Sequence, residues 1–198
     1  MGSLLSPFAG LGVRALKLGL VAYPGLGGSG IVATELAHRL AQMGHRVYLF
    51  ATERPFRLPK DSPVVYIPVD LPFYPVFPGP LYTLSLAGVL EREARRLGLE
   101  LVHTHYAIPH AAAAYLGLGE ELPLVHTLHG TDVSVLGMDP AFHGPTRKAL
   151  QRAKATTAVS RALAQEAQKA FGVSPVVIHN AVDPDRFYPR PERKKLYA

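Results

Sequence analysis

The stretch LKLGLVAYPGLGGSGIVATELAHRLAQMG, Leu16 to Gly44, decides the fold. Leu16–Tyr23 is a short apolar run bounded by turn residues, which reads as a buried strand. Glycines at 25, 27, 28 and 30 follow it. From Ser29 to Met43, Ile31, Val32, Leu36 and Leu40 recur at roughly helical spacing, and Gly44 stops the helix. A strand, a glycine loop and a helix in that order open an α/β unit.

The alternation continues outward from there. Arg46–Thr52 and Val64–Val69 read as strands. Between Asp70 and Pro80 the prolines come too thickly for a helix or a central strand. Leu81–Leu97 reads as a helix stopped by Gly98, Leu99–Tyr106 as a strand, and Pro109–Leu116 as a short Ala-rich helix. Leu124–His129, Ala155–Ser160 and Val176–His179 read as further strands, with helices at Ala141–Ala153 and Arg161–Phe171. This pattern predicts an α/β domain: a doubly wound, mostly parallel sheet with helices on both faces. The domain is expected to span residues 16–187, with 1–15 a flexible leader and 188–198 the start of an interdomain linker.

The bulk composition bounds the function. The chain has 198 residues, 48% of them hydrophobic and 18% charged, enough for one domain with its own core. No apolar run reaches membrane-spanning length. With no cysteine, disulfides and thiolate metal sites are excluded, and a cytoplasmic location is expected. The formal charge of +6 favours anionic ligands. Its basic residues are scattered apart from Arg190–Lys195, so nucleic acid is not an expected partner.

In parallel sheets, ligands bind outside the carboxyl ends of the strands, and the distinctive motifs fall there. Gly25-Leu26-Gly27-Gly28-Ser29-Gly30 lets a phosphate approach the backbone at a helix N-terminus. His103 and His105 share one face of their strand, but no third residue has metal-ligand spacing, and Tyr106 comes next. Thr127 and His129 share a face of the next strand, followed by Gly130 and the capping candidates Thr131 and Asp132. Arg147 lies on the following helix, where a guanidinium either faces water or clamps a carboxylate or phosphate. Asn180 ends the last strand, ahead of the turn at Asp183-Pro184.

Taken together, GLGGSG, HTHY, HTLHGTD, AVSRAL and HNAVDPDRF resemble glycosyltransferase family 4, whose members have the GT-B fold. The likeness runs from about Leu16 to Phe187 and implies the Rossmann-like N-terminal half of that fold. GGSGIVATELA, ERPFRLP, HTHYAIPHA and HTLHGTDVSVLG are the more specific segments. They imply retaining transfer of N-acetylglucosamine from UDP-N-acetylglucosamine to the hydroxyl of L-malate, as in bacillithiol biosynthesis. By the same resemblance, Gly27 and Gly28 meet the donor diphosphate. Ser29, Tyr106, Thr127, Thr131, Arg147 and Asn180 line the acceptor site, and His129 is catalytic, beside the transferred sugar. No cofactor or metal is implied. The family's nucleotide-gripping Glu-x7-Glu motif has no counterpart here, so the expectation is a half enzyme, inactive alone, that needs a C-terminal donor domain. Monomer and homodimer both remain open.

Two other readings compete. GLGGSG also satisfies G-x-G-x-x-G, and Glu53 stands near the end of the second strand, as in an NAD-binding oxidoreductase domain. The aromatic, proline-rich Leu71–Pro80 would suit a non-catalytic contact module, or else a loop packed on the domain's own edge.

Overall fold

A computed structural model describes residues 14–184 and 187–189. Seven strands form one sheet: β1 (Lys17–Val21), β2 (Arg46–Ala51), β3 (Val65–Pro68), β4 (Leu101–His105), β5 (Leu124–Leu128), β6 (Ala155–Ala158) and β7 (Val176–Val177). Their order is β3-β2-β1-β4-β5-β6-β7, and all six pairings are parallel. The helices are α1 (Gly28–Gln42), α2 (Tyr82–Leu97), α3 (Ala112–Leu118), the single turn α4 (Thr131–Ser134), α5 (Pro140–Arg152) and α6 (Arg161–Phe171).

Alternation along the strands sorts the core onto two faces. Leu18, Leu20, Val47 and Leu49 pack with Ala33, Ala37 and Ala41 of α1. Their strand neighbours Val21, Tyr48, Phe50 and Val102 pack with Leu86 and Leu90 of α2 and Ala113 and Ala114 of α3. Leu128 and Ala158 extend that second face to Leu150 of α5 and Phe171 of α6. Helices therefore cover both faces, as the sequence predicts. The strand order reverses direction between β1 and β4, which makes their carboxyl ends the switch point of the sheet.

Local chemistry sets the element ends. α2 stops where Gly98 enters the left-handed region at φ 63°, and α6 stops the same way at Gly172. Ser160 caps α6 by accepting from Leu163 N, and Asp139 caps α5 by accepting from Ala141 N. Gly30 is fixed by packing: a Cβ there would lie 2.3 Å from Tyr23 O, so only glycine lets α1 sit this close to the end of β1.

Some expectations shift. The helix predicted at Pro109–Leu116 is present as α3 but starts three residues later: Pro109–Ala111 belongs to an irregular turn, Ala107–Ala111, which is broken by extended backbone at Ile108 and leads into α3. Tyr106, which opens that turn, has φ 87°, a left-handed value uncommon for a non-glycine residue. The last strand is shorter than predicted, two residues instead of four. The segment between β3 and α2 has no regular structure and leaves Phe73, Tyr74, Val76 and Phe77 exposed. Among the described residues no helix is long and apolar enough to cross a membrane. Most of the expected leader and linker, with the Arg190–Lys195 cluster, lies outside the described residues.

Candidate active site at the sheet switch point

The first wall of the site is the glycine loop between β1 and α1. Gly27 is the N-cap of α1, with φ −64° and ψ 146°, and no side chain caps the helix. The first turn contains no acidic residue, so the positive end of the helix dipole is not offset locally. A Cβ on Gly25, Gly27 or Gly28 would meet nothing within 4 Å, and none of the three has positive φ. Neither backbone conformation nor packing within the domain calls for glycine there. What remains is open space in front of uncapped N–H groups, the geometry of an anion cradle. Ser29, partly buried, stands in the same first turn.

The second wall comes from the exits of β4 and β5. Tyr106 OH and Thr131 Oγ1 are 2.5 Å apart, which joins the two exits by a hydroxyl pair. The Tyr106 ring meets Tyr23, at the end of β1, edge-on at 5.7 Å between centroids. Tyr23 also packs on His110 at 4.4 Å. Tyr82, at the start of α2, donates its hydroxyl to Nε2 of His110 across 2.9 Å. Burial raises the Tyr23 hydroxyl to about 12, with Tyr106 adding to the effect, and burial raises that of Tyr82 as well.

Asp132 holds this wall in place. It is completely buried, and its carboxylate accepts from the backbone N–H of Ala107 at 2.8 Å, His129 at 3.0 Å and Gly130 at 2.8 Å. One side chain therefore ties the exit of β4 to the exit of β5. Buried and bonded in this way, it acts as a brace between the two exits.

Below the wall lie two histidine–threonine networks, one on each face. Thr104 bonds His126 Nδ1 at 2.6 Å on the face covered by α2 and α3. On the other, Thr127 is buried, and its hydroxyl is shared between His103 Nε2 and Thr157 Oγ1, both at 2.7 Å. Also on that face, His105 Nδ1 and His129 Nε2 stand 3.1 Å apart. Burial lowers the imidazoles of His103 and His110 to about 4 and of His126 to about 3. Burial lowers His105 and His129 too, with nearby Asp132 pulling His129 the other way. The cluster is thus neutral at physiological pH.

The structure brings Gly27, Gly28, Ser29, Tyr106, Thr131 and His129 to the carboxyl edge of three adjacent strands. Thr127 lies just beneath, bonded inward. Arg147 is exposed midway along α5, and no hydrogen bond or ion pair joins it to that group. Asn180 is exposed beyond β7, in a segment anchored by a 3.1 Å contact between His179 Nδ1 and Val159 O and by the Asp183–Arg39 ion pair at 2.8 Å. Tyr23, His105 and His110 fall among the strand-end positions that the sequence singles out but receive no binding or catalytic role there, and Tyr82 is missed; the recurrence of aromatic and imidazole side chains at strand ends is the available signal. Among the described residues no three or more His, Asp or Glu side chains form a metal-binding group.

An anion cradle beside a hydroxyl-lined wall is the geometry at the switch point, and the chain belongs to glycosyltransferase family 4, whose sequence profile (Glycosyltransferase Family 4) matches residues 26–186. Its fold is the Rossmann-like half of a GT-B enzyme. The chain is 39% identical over 191 residues to N-acetyl-alpha-D-glucosaminyl L-malate synthase of Bacillus anthracis, covering 92% of this chain and 50% of that protein. It is 34% identical over 140 residues to the putative teichuronic acid biosynthesis glycosyltransferase TuaC of Bacillus subtilis (strain 168), covering 65% of this chain and 35% of that one. The chain therefore spans half or less of the length of these curated relatives. A solved glycosyltransferase from Rickettsia africae ESF-5 superposes with TM-score 0.67 at 19% identity, over 89% of this chain and 47% of that one. Family membership replaces the dinucleotide reading of GLGGSG, and Glu53, exposed beyond β2, needs no ribose partner.

Proposed function

We propose that this domain is the acceptor side of a retaining transferase that moves N-acetylglucosamine from UDP-N-acetylglucosamine to the hydroxyl of L-malate. The observation that carries the reading is the open glycine loop at the switch point. Gly27 and Gly28 leave room for a diphosphate against the uncapped start of α1. The relative named as an N-acetyl-alpha-D-glucosaminyl L-malate synthase supports N-acetylglucosamine as the sugar and L-malate as the acceptor. Residues 16–187 act as the acceptor-side domain, and 188–198 lead to a donor-binding domain that completes the cleft; a cytoplasmic location belongs to the same reading.

In this reading the acceptor hydroxyl attacks the anomeric carbon as the bond to the diphosphate breaks, and the departing phosphate oxygen takes the hydroxyl proton. The amides at the start of α1 stabilise charge growing on the leaving phosphate. Ser29 and the Tyr106–Thr131 pair supply hydroxyls to the acceptor carboxylates, with Thr127 supporting them from below. Arg147 supplies a guanidinium and Asn180 closes the cleft. His129 faces the transferred sugar. Asp132 holds that arrangement rigid, and positioning of this kind contributes to rate without covalent chemistry.

The test uses the protein with its donor-binding domain. UDP release and glycosylated malate are followed with L-malate varied and UDP-N-acetylglucosamine saturating. Malate-dependent UDP release is the expected outcome. Transfer to a polymeric acceptor with no response to malate would overturn the acceptor assignment, and the name of the second relative makes that the relevant contrast.

A further inference from the structure

His105 is the most enclosed member of the histidine cluster. It is 1% exposed, and its ring packs on His103 at 4.5 Å and on His129 at 5.3 Å between centroids. Its Nδ1 faces His129 Nε2 at 3.1 Å, while its own Nε2 is buried without any hydrogen-bond partner among the described residues. Of the two nitrogens in that contact, one must donate and the other accept.

Two arrangements satisfy it. If His129 donates from Nε2, then neutral His105 accepts at Nδ1 and carries its proton on Nε2, leaving a buried N–H with no acceptor. If His105 donates from Nδ1, its Nε2 is left with only a bare lone pair. Orphaned buried N–H groups are rarer than under-satisfied acceptors. The second arrangement wins. Neutral His129 then accepts at Nε2 and carries its proton on Nδ1. That atom bonds to no described residue and is not fully buried.

The backbone around His105 is fixed as firmly as its ring. His110 donates from Nδ1 to the carbonyl of His105 at 2.5 Å, and Tyr82 fills the Nε2 of His110. Asp132 accepts from the N–H of His129 and so fixes the backbone on the other side of the contact. Both rings are thus held at defined positions before any ligand arrives.

We propose that His105 is a positioning residue that locks His129 in its Nδ1–H tautomer, so that His129 presents a hydrogen-bond donor, not a base, at the mouth of the site. The group it would meet is an oxygen lone pair on the bound sugar or on the departing phosphate. A donor there strengthens as negative charge accumulates on that oxygen, whereas a basic nitrogen would repel it. The acceptor proton must then go elsewhere than to His129. The identity of the ligand oxygen rests on the proposed transfer reaction; the tautomer does not.

The experiment is a long-range ¹H–¹⁵N correlation spectrum of the uniformly ¹⁵N-labelled protein without ligand. The His129 ring is assigned by its disappearance in His129→Gln. A single Nδ1–H pattern is expected, and an Nε2–H pattern overturns the proposal whether or not malate proves to be the acceptor. In His105→Leu both tautomers of His129 should become populated; an unchanged Nδ1–H pattern overturns the locking role. Should that variant fail to fold, His105→Asn can place an amide N–H where Nδ1–H was. It should keep the Nδ1–H pattern, and a switch to Nε2–H counts against the proposal.

Discussion

Gly28→Ala should separate stability from function. Gly28 is the first residue of α1 and is exposed, and a Cβ there meets nothing within 4 Å. Alanine fits that backbone without strain, because Gly28 is not among the residues of positive φ. Shrinking the freedom of the unfolded chain should therefore stabilise the protein by ~0.4–1 kcal/mol, a rise of roughly 1–4 °C in Tm for a chain of this size. The added methyl points into the space assigned to the donor diphosphate. Losing one charge-assisted contact to a phosphate oxygen costs about 1.5–3 kcal/mol, which is roughly a 10- to 150-fold fall in kcat/KM. A thermal scan and initial rates of UDP release, both on the protein with its donor domain, read the two effects side by side. A Tm several degrees lower would show that the space is not open. An unchanged kcat/KM would remove the diphosphate from this loop.

Gly30→Ala is the opposite case: its Cβ would lie 2.3 Å from Tyr23 O, and urea titration should show a loss of about 3 kcal/mol. Asp132→Asn places an amide N–H₂ where a buried carboxylate oxygen now accepts from Ala107 N, and it should cost about 3 kcal/mol or more, with lost hydrogen-exchange protection at Ala107. Stability should also fall with acid. His110 and His126 are held at about 4 and about 3, below the unfolded value near ~6.5, so the unfolded chain binds more protons between those limits. Their contribution is complete above that unfolded value and is lost as pH falls towards the folded ones, about 2 kcal/mol each by pH ~5, and equal urea midpoints at pH 7 and 5 would contradict this. Arg147→Ala should raise the malate KM about 10- to 150-fold and leave that for UDP-N-acetylglucosamine nearly unchanged; an unaltered malate KM places Arg147 outside the site.

The fold was legible because its signals are local. Leu16–Tyr23 is apolar at every position but Lys17 and Gly19, and a strand buried on both faces needs that pattern. Gly44, Gly98 and Gly172 mark helix ends because only glycine enters the left-handed region at little cost, and all three have positive φ. The misread segment is of another kind. Pro109–Ala111 leads into an Ala-rich run and so reads as helix, yet the turn it belongs to takes its course from a left-handed Tyr106 and a carboxylate 25 residues from Ala107 that accepts from its N–H. Nothing in the neighbouring sequence could announce that bond.

The candidate site was legible in position, as a cluster at the strand ends, and less so in chemistry. The rule that ligands sit at the carboxyl ends of strands selects Tyr106, His129 and Thr131 from the residues immediately past β4 and β5, and the structure joins Tyr106 to Thr131 directly. Period-two alternation correctly put Thr127 on the face of His129. It could not say that Thr127 spends its hydroxyl on His103 and Thr157, because those partners come from the two flanking strands. The same holds for Asp132, whose place after Gly130 suggests a helix cap while its oxygens reach back to the exits of both strands. Which polar groups are already satisfied is a property of strand neighbours, and so of sheet order. Once the order β1-β4-β5-β6 is known, the saturated groups drop out. What stays open is the amide edge of α1, the Tyr106–Thr131 pair and Nδ1 of His129, and these are the groups through which the proposed reaction would meet its ligands.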